Sequence, residues 1–108
     1  MILKTRYSNH PEDAKHYTTD DLRKHFLIEE VFVPDEISLT YSHNDRIIAG
    51  GAMPVGKELK LASAKELASD YFLELREMGV INIGGPGEMV LDGKVYQMNY
   101  QDGIYVGR

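Results

Sequence analysis

The sequence predicts a mainly β fold, an antiparallel sandwich or barrel with one or two short helices, and three observations carry that prediction. Asp92-Gly93 lies between Glu88-Met89-Val90-Leu91 and Lys94-Val95-Tyr96-Gln97-Met98, and Asp-Gly between β-prone runs marks a two-residue hairpin because both turn residues need positive φ. Ile37-Ser38-Leu39-Thr40-Tyr41 alternates at period two, which puts Ile37, Leu39 and Tyr41 on one face of a strand. From Gly79 onward, short β-prone segments recur between Gly, Asp and Pro, the spacing of an all-β domain.

The hairpin carries its own register. If Leu91 faces Lys94, Met89 faces Tyr96 and Gly87 faces Met98. One side of the ribbon is then apolar, with Met89, Leu91, Tyr96, Met98 and Tyr100. The other is largely polar, with Glu88, Val90, Val95, Gln97 and Asn99, as in a ribbon packed on a core by one face. Gly79-Val80-Ile81-Asn82-Ile83 reads as a strand closed by the corner Gly84-Gly85-Pro86-Gly87. Gln101-Asp102-Gly103 turns the chain into a last strand, Ile104-Tyr105-Val106.

Earlier in the chain, residues 1–17 are polar and read as an N-terminal arm that orders against another element or subunit. The helix start at Thr18-Thr19-Asp20-Asp21 has Thr19 as its expected N-cap, acids in its first turn and bases in its last. Leu22 and Phe26 seat it, with His25 as its C-terminal cap. Leu27 to Val33 is β-rich and ends at Pro34-Asp35. Ile47-Ile48-Ala49-Gly50-Gly51-Ala52-Met53 is the partner strand of Ile37–Tyr41, and its glycine pair marks a bulge or a close backbone approach. Pro54 to Leu61 continues extended. Ser63–Met78 supports two readings: Ala64, Leu67, Ala68, Tyr71, Phe72 and Leu75 fall at helical spacing, whereas Tyr71-Phe72-Leu73-Glu74-Leu75 suits a strand. A short helix from Ser63 to Leu67 followed by a strand from Tyr71 is the expected arrangement.

Composition narrows the function classes. A chain of 108 residues is one domain at most, and its 43% hydrophobic content supports a folded core. A net charge of −5 with no basic stripe argues against nucleic acid as a partner. There is no cysteine, so disulfides, thiolate metal sites and a cysteine nucleophile are excluded. No apolar run approaches the length of a membrane span, and the reading is a cytoplasmic protein without a membrane partner.

Candidate chemistry concentrates at two places. His43, Asp45 and Arg46 put an acid/base group, a carboxylate and a guanidinium on one turn, where they could move a proton and clamp a carboxylate; a turn held by its own hydrogen bonds and a surface ion pair is the plainer reading. Arg76 and Glu77, with Glu74, alternate charge on an expected strand and serve either binding and assembly or a solvated face. The four histidines, at 10, 16, 25 and 43, make no recognised ligand spacing, so no metal site is expected within the chain.

Several blocks together resemble a known family: Phe26-Leu27, Val31-Phe32-Val33, Tyr41-Ser42-His43-x-Asp45-Arg46-Ile47-Ile48-x-Gly50-Gly51, Tyr71-Phe72-Leu73-Glu74-x-Arg76-Glu77-x-Gly79-Val80-Ile81-Asn82-Ile83-Gly84-Gly85, and Tyr105-Val106-Gly107. They are similar to the N-terminal part of 5-keto-4-deoxyuronate isomerase, a bacterial, cytoplasmic, oligomeric aldose–ketose isomerase of pectin and uronate breakdown. The resemblance implies two cupin-like β-sandwich halves, with residues 18–108 a degenerate and truncated first half. It implies a zinc cofactor held by three histidines and one glutamate of the second half, outside these residues. The implied reaction moves a proton between neighbouring carbons of a small uronate through an enediol-like intermediate. Arg46 and Arg76 are the implied candidates for its carboxylate, with His43, Asp45 and Glu77 beside them in substrate binding or a homo-oligomer interface. A non-catalytic cupin-like module that binds a sugar acid or serves assembly is the alternative.

Overall fold

Alternation at Ile37–Tyr41 builds the first sheet. The computed structural model describes all 108 residues, mainly β with two short helices, and divides them into two units, Met1–Ala62 and Ser63–Arg108.

In the first unit β2 (Ile37–Ser42) lies between β1 (Ile2–Arg6) and β3 (Ile47–Ala52). β2 and β3 are antiparallel, pairing Leu39 with Gly50 and Ser38 with Gly51. β1 runs parallel to β2, Ile2 opposite Ser38 and Arg6 opposite Ser42. Parallel neighbours need a long crossover, and residues 7–36 provide it with two helices, α1 (Pro11–Ala14) and α2 (Thr19–Phe26). Residues 2–6, read from the sequence as part of an arm, are therefore an edge strand of the same chain. His10 caps α1 by accepting from the Glu12 amide at 3.1 Å. The N-cap of α2 is Thr18, one residue before the expected Thr19, and it forms a reciprocal capping box with Asp21. Leu27 rather than His25 takes the C-cap position of α2.

The segment from Leu27 to Val33 departs most from its reading as a strand. Glu30 to Phe32 lies across the face of the sheet. The Ser38 hydroxyl donates to the Glu30 carbonyl at 3.0 Å, and a Cβ at Gly51 would meet the Phe32 ring at 2.6 Å and the Val31 carbonyl oxygen at 2.7 Å. Crossing the face instead of extending an edge leaves its β-branched residues no ladder to join. It also explains why Ser38 and Thr40, on the polar side of the alternation, are buried. Gly51 is small because a backbone crosses it, so the close approach anticipated for the glycine pair is present.

In the second unit the antiparallel pairs are β4 (Met78–Ile81) with β7 (Gly103–Val106), and β5 (Gly87–Leu91) with β6 (Lys94–Met98). The hairpin has the register read from its turn: Leu91 faces Lys94, Met89 faces Tyr96 and Gly87 faces Met98. Asp92 and Gly93 both have positive φ. Met98 is buried on the apolar face, while Val90 and Val95 are exposed on the other. The Asn82 side chain donates to the carbonyls of Gly85 at 2.9 Å and Met98 at 2.8 Å, so one amide fixes the glycine corner to the end of β6.

Ser63–Met78 contains a 3₁₀ turn, Lys65–Leu67, near the expected short helix. The expected strand from Tyr71 is absent; Tyr71–Leu75 is a series of turns, with the Glu74 amide donating to the Tyr71 carbonyl at 3.1 Å. Ala68 at φ 49° breaks the helical path, and the Glu74 carboxylate accepts from the Asp70 amide. These local bonds satisfy the backbone without a sheet partner. Leu67 and Phe72 are buried by this folding-back.

Candidate functional site

Side chains alternate across a strand, and this divides the polar turn after β2 between the two faces of the sheet. His43 stacks on Tyr41 with ring centroids 4.6 Å apart and on Tyr7 at 5.5 Å. Its amide donates to the Arg6 carbonyl at 2.8 Å, and its own carbonyl accepts from the Ser8 hydroxyl at 2.9 Å. Arg46 occupies a left-handed backbone position at φ 55° and is exposed. Asp45 instead lines a cleft of about 260 Å³ together with Arg6, His25, Thr40, Ser42 and Asn44, closed on its apolar side by Phe26 and Ile28.

The cleft follows from elements already described. β1 and β2 place Arg6 opposite Ser42, so Arg6 shares a sheet face with Ser42 and Thr40. α2 brings His25 to the rim, its ring stacked on Tyr17 at 4.9 Å. Arg6 Nη2 donates to the Leu27 carbonyl at 3.2 Å, just past the helix end. Arg6 Nε is buried and has no hydrogen-bond partner. Neither Arg6 nor Asp45 takes part in any ion pair of the chain. Asn44 is braced from outside, its Oδ1 accepting from the Asn9 amide at 3.1 Å.

Arg76 and Glu77 belong to the second unit and lie just before β4, not on a strand. The Arg76 guanidinium is 5.6 Å from the Phe72 ring centroid, a cation–π contact, and its Nη1 is buried without a partner. The Glu77 carboxylate favours the protonated Tyr105 phenol and raises its pKa above the ordinary value of 10.0. Arg76 and Glu77 thus serve different neighbours.

Of the five residues singled out from the sequence, Asp45 alone lines the cleft. Arg6 and His25 were missed there. The signal for Arg6 was present in Leu3-Lys4-Thr5-Arg6-Tyr7, where basic and other residues alternate at period two. No group of three or more His, Asp or Glu side chains converges in a way that could hold a metal ion, so these residues do not fit a zinc centre. No helix is long and apolar enough to cross a membrane.

No protein-family model matches the chain. Individual proteins do. A protein of Enterococcus faecalis named 4-deoxy-L-threo-5-hexosulose-uronate ketol-isomerase 2 is 57% identical over 106 residues, 98% of this chain and 38% of that protein. One of Lachnoclostridium phytofermentans, named 4-deoxy-L-threo-5-hexosulose-uronate ketol-isomerase, is 56% identical over 107 residues, 99% of this chain and 38% of the relative. One of Lacticaseibacillus casei with the same name is 50% identical over 105 residues, 97% of this chain and 37% of the relative. Over nearly all of its length, the chain is similar to proteins named 4-deoxy-L-threo-5-hexosulose-uronate ketol-isomerase, and it spans about 38% of the length of these relatives.

Proposed function

We propose that these residues are the N-terminal part of a ketol-isomerase that converts 5-dehydro-4-deoxy-D-glucuronate to 3-deoxy-D-glycero-2,5-hexodiulosonate in pectin and uronate degradation. The observation that carries this reading is 57% identity over 106 residues to a protein of that name. The reaction shifts a carbonyl by one carbon, so it needs a base to take a proton and return it to the neighbouring carbon. Among the residues here, the reading assigns support and not chemistry. They form a cupin-like first half within a cytoplasmic homo-oligomer, and zinc is held by ligands beyond them. His43, Arg46, Arg76 and Glu77 are proposed to act at a subunit interface or beside a neighbouring active site. Arg46→Ala with unchanged substrate affinity and unchanged oligomer size removes that residue from the proposal.

A coupled assay for the diketo product tests the whole reading on the full-length protein, with and without a chelator. Turnover that disappears with the metal and returns on adding zinc is expected; absence of turnover in the zinc-loaded protein contradicts it. A second reading, a sugar-acid-binding module without catalysis, is favoured by the cleft around Arg6, and its binding is indifferent to chelator.

A further inference from the structure

The first sheet ends on two unlike edges. β1 carries Lys4 and Arg6, and charged side chains on an edge discourage a further strand from pairing there. β3, Ile47-Ile48-Ala49-Gly50-Gly51-Ala52, has β2 as its single neighbour in the sheet. It carries no charge and no proline, and its pairing with β2 runs residue for residue without a bulge. Ala49 and Gly50, at its middle, are exposed. The outer N–H and C=O groups of β3 are therefore an open ladder with none of the usual guards.

The side chains beside the ladder decide what fits it. Ile47, Ala49 and Gly51 share one face of the strand, the face on which the Phe32 ring stands over Gly51. Ile47 is 58% exposed and Phe32 48%, so each is a large apolar side chain short of cover. A second β3 laid antiparallel with Ala49 opposite Ala49 sets Ile47 opposite Gly51 of the other copy. Opposed residues then fall on the same side of the joined sheet. Positions directly opposite are about 4.5–5.5 Å apart, so Ile47 of each copy reaches the Phe32 ring of the other over a residue that has no side chain to block it.

We propose that β3 is a self-docking edge, through which two copies of this chain pair antiparallel over Ile47–Gly51 about a two-fold axis at Ala49. Both copies use the same edge, so the contact closes at a dimer and leaves the charged β1 edges outside. Stable interfaces bury about 1,200–2,000 Å²; so short an edge offers less, and the dimer is weak. The inference gives the proposed homo-oligomer one specific interface but rests on the β3 edge alone. Its test reads no turnover, so its failure leaves the isomerase reading standing.

Sedimentation equilibrium of the full chain from about 10 μM to 1 mM tests it, with NMR of mixed labelled and unlabelled copies at the upper concentration. A reversible monomer–dimer equilibrium with a Kd of about 0.1–1 mM is expected, together with contacts between copies from the Phe32 ring to the Ile47 methyl groups. Ala49→Lys sets two ammonium groups opposite each other at the axis and should weaken the dimer by about tenfold or more. Val95→Lys, at a position 54% exposed on β6, is the control and should leave the equilibrium unchanged. If Ala49→Lys disturbs the monomer's amide spectrum beyond β3, Ile47→Lys replaces it, with the same loss expected. A monomer at every concentration, a dimer indifferent to the β3 lysine, growth beyond two copies, or contacts between copies that omit Phe32 and Ile47 overturns the proposal.

Discussion

Replacing Gly50 by alanine tests whether the β2–β3 contact that carries Thr40 and Ser42 is as close as the structure shows. The added methyl group would lie 2.1 Å from the Ser38 carbonyl oxygen and 2.9 Å from the Leu39 Cα. Both are backbone atoms, so no side-chain rotation relieves the overlap and the strands must shift. Forcing an extra carbon into such a contact costs about 1–3 kcal/mol, offset by the roughly 0.5–1 kcal/mol that alanine gains over glycine in a strand. The net loss is between about 0 and 2.5 kcal/mol and centred near 1 kcal/mol, a factor of roughly 5 in the folded-to-unfolded ratio. Gly79→Ala is the matched control, a strand glycine with nothing within 4 Å of the added carbon. Amide hydrogen exchange reads each site separately. Gly50→Ala should speed exchange across β2 and β3 by that factor, and Gly79→Ala should leave β4 unchanged or slower. Wild-type protection of β2 in Gly50→Ala, or equal damage from both substitutions, refutes the packing argument.

Thr18→Ala removes the hydroxyl that accepts from the Asp21 amide and should cost about 1 kcal/mol, read as a lower thermal midpoint; an unchanged midpoint counts against the capping box. Asp35 accepts from the amides of Gly56 and Val55, both at 2.8 Å, and these bonds hold its pKa below the ordinary 3.8. A depressed carboxylate stabilises the fold above its unfolded pKa and loses that contribution as pH falls through the folded value. Protection at Val55, Gly56 and Lys57, the exchange rate taken relative to that of an unstructured amide at the same pH, should therefore fall on acidification below about pH 3.8, and Asp35→Asn, which keeps the left-handed backbone, should abolish that dependence. Glu77→Gln should return Tyr105 toward its ordinary pKa, since the Glu77 carboxylate is the leading cause of its upward shift. In the native protein that contribution is intact below pH 10.0 and is lost as pH rises through the raised value. ¹³C NMR titration of the tyrosine rings resolves it.

What was legible in the sequence was local. Asp92-Gly93 fixes the hairpin because two positive φ values set the register of both strands. Ile37–Tyr41 shows its period two and forms the expected strand, but the polar positions between, Ser38 and Thr40, are the ones most deeply buried, which the alternation does not announce. Contacts between distant segments were hidden. β1 pairs with β2 across residues 7–36, and five residues at a polar terminus carry too little pattern to announce a parallel partner. The Leu27–Val33 run has strand composition, yet Ser38, Gly51 and Phe32 show that it crosses a sheet. The same non-local pairing hid half of the cleft. Asp45 was accessible as part of a dense polar turn, but Arg6 and His25 reach it only through the crossover that the sequence does not display.

The most direct test of the central claim, that these residues support an isomerase without performing its chemistry, is turnover of 5-dehydro-4-deoxy-D-glucuronate by the 108-residue chain alone, measured with added zinc beside a full-length relative. The account predicts metal-dependent turnover by the relative and none by the chain, which gathers no three metal-ligating side chains. Zinc-dependent turnover by the isolated chain would contradict it.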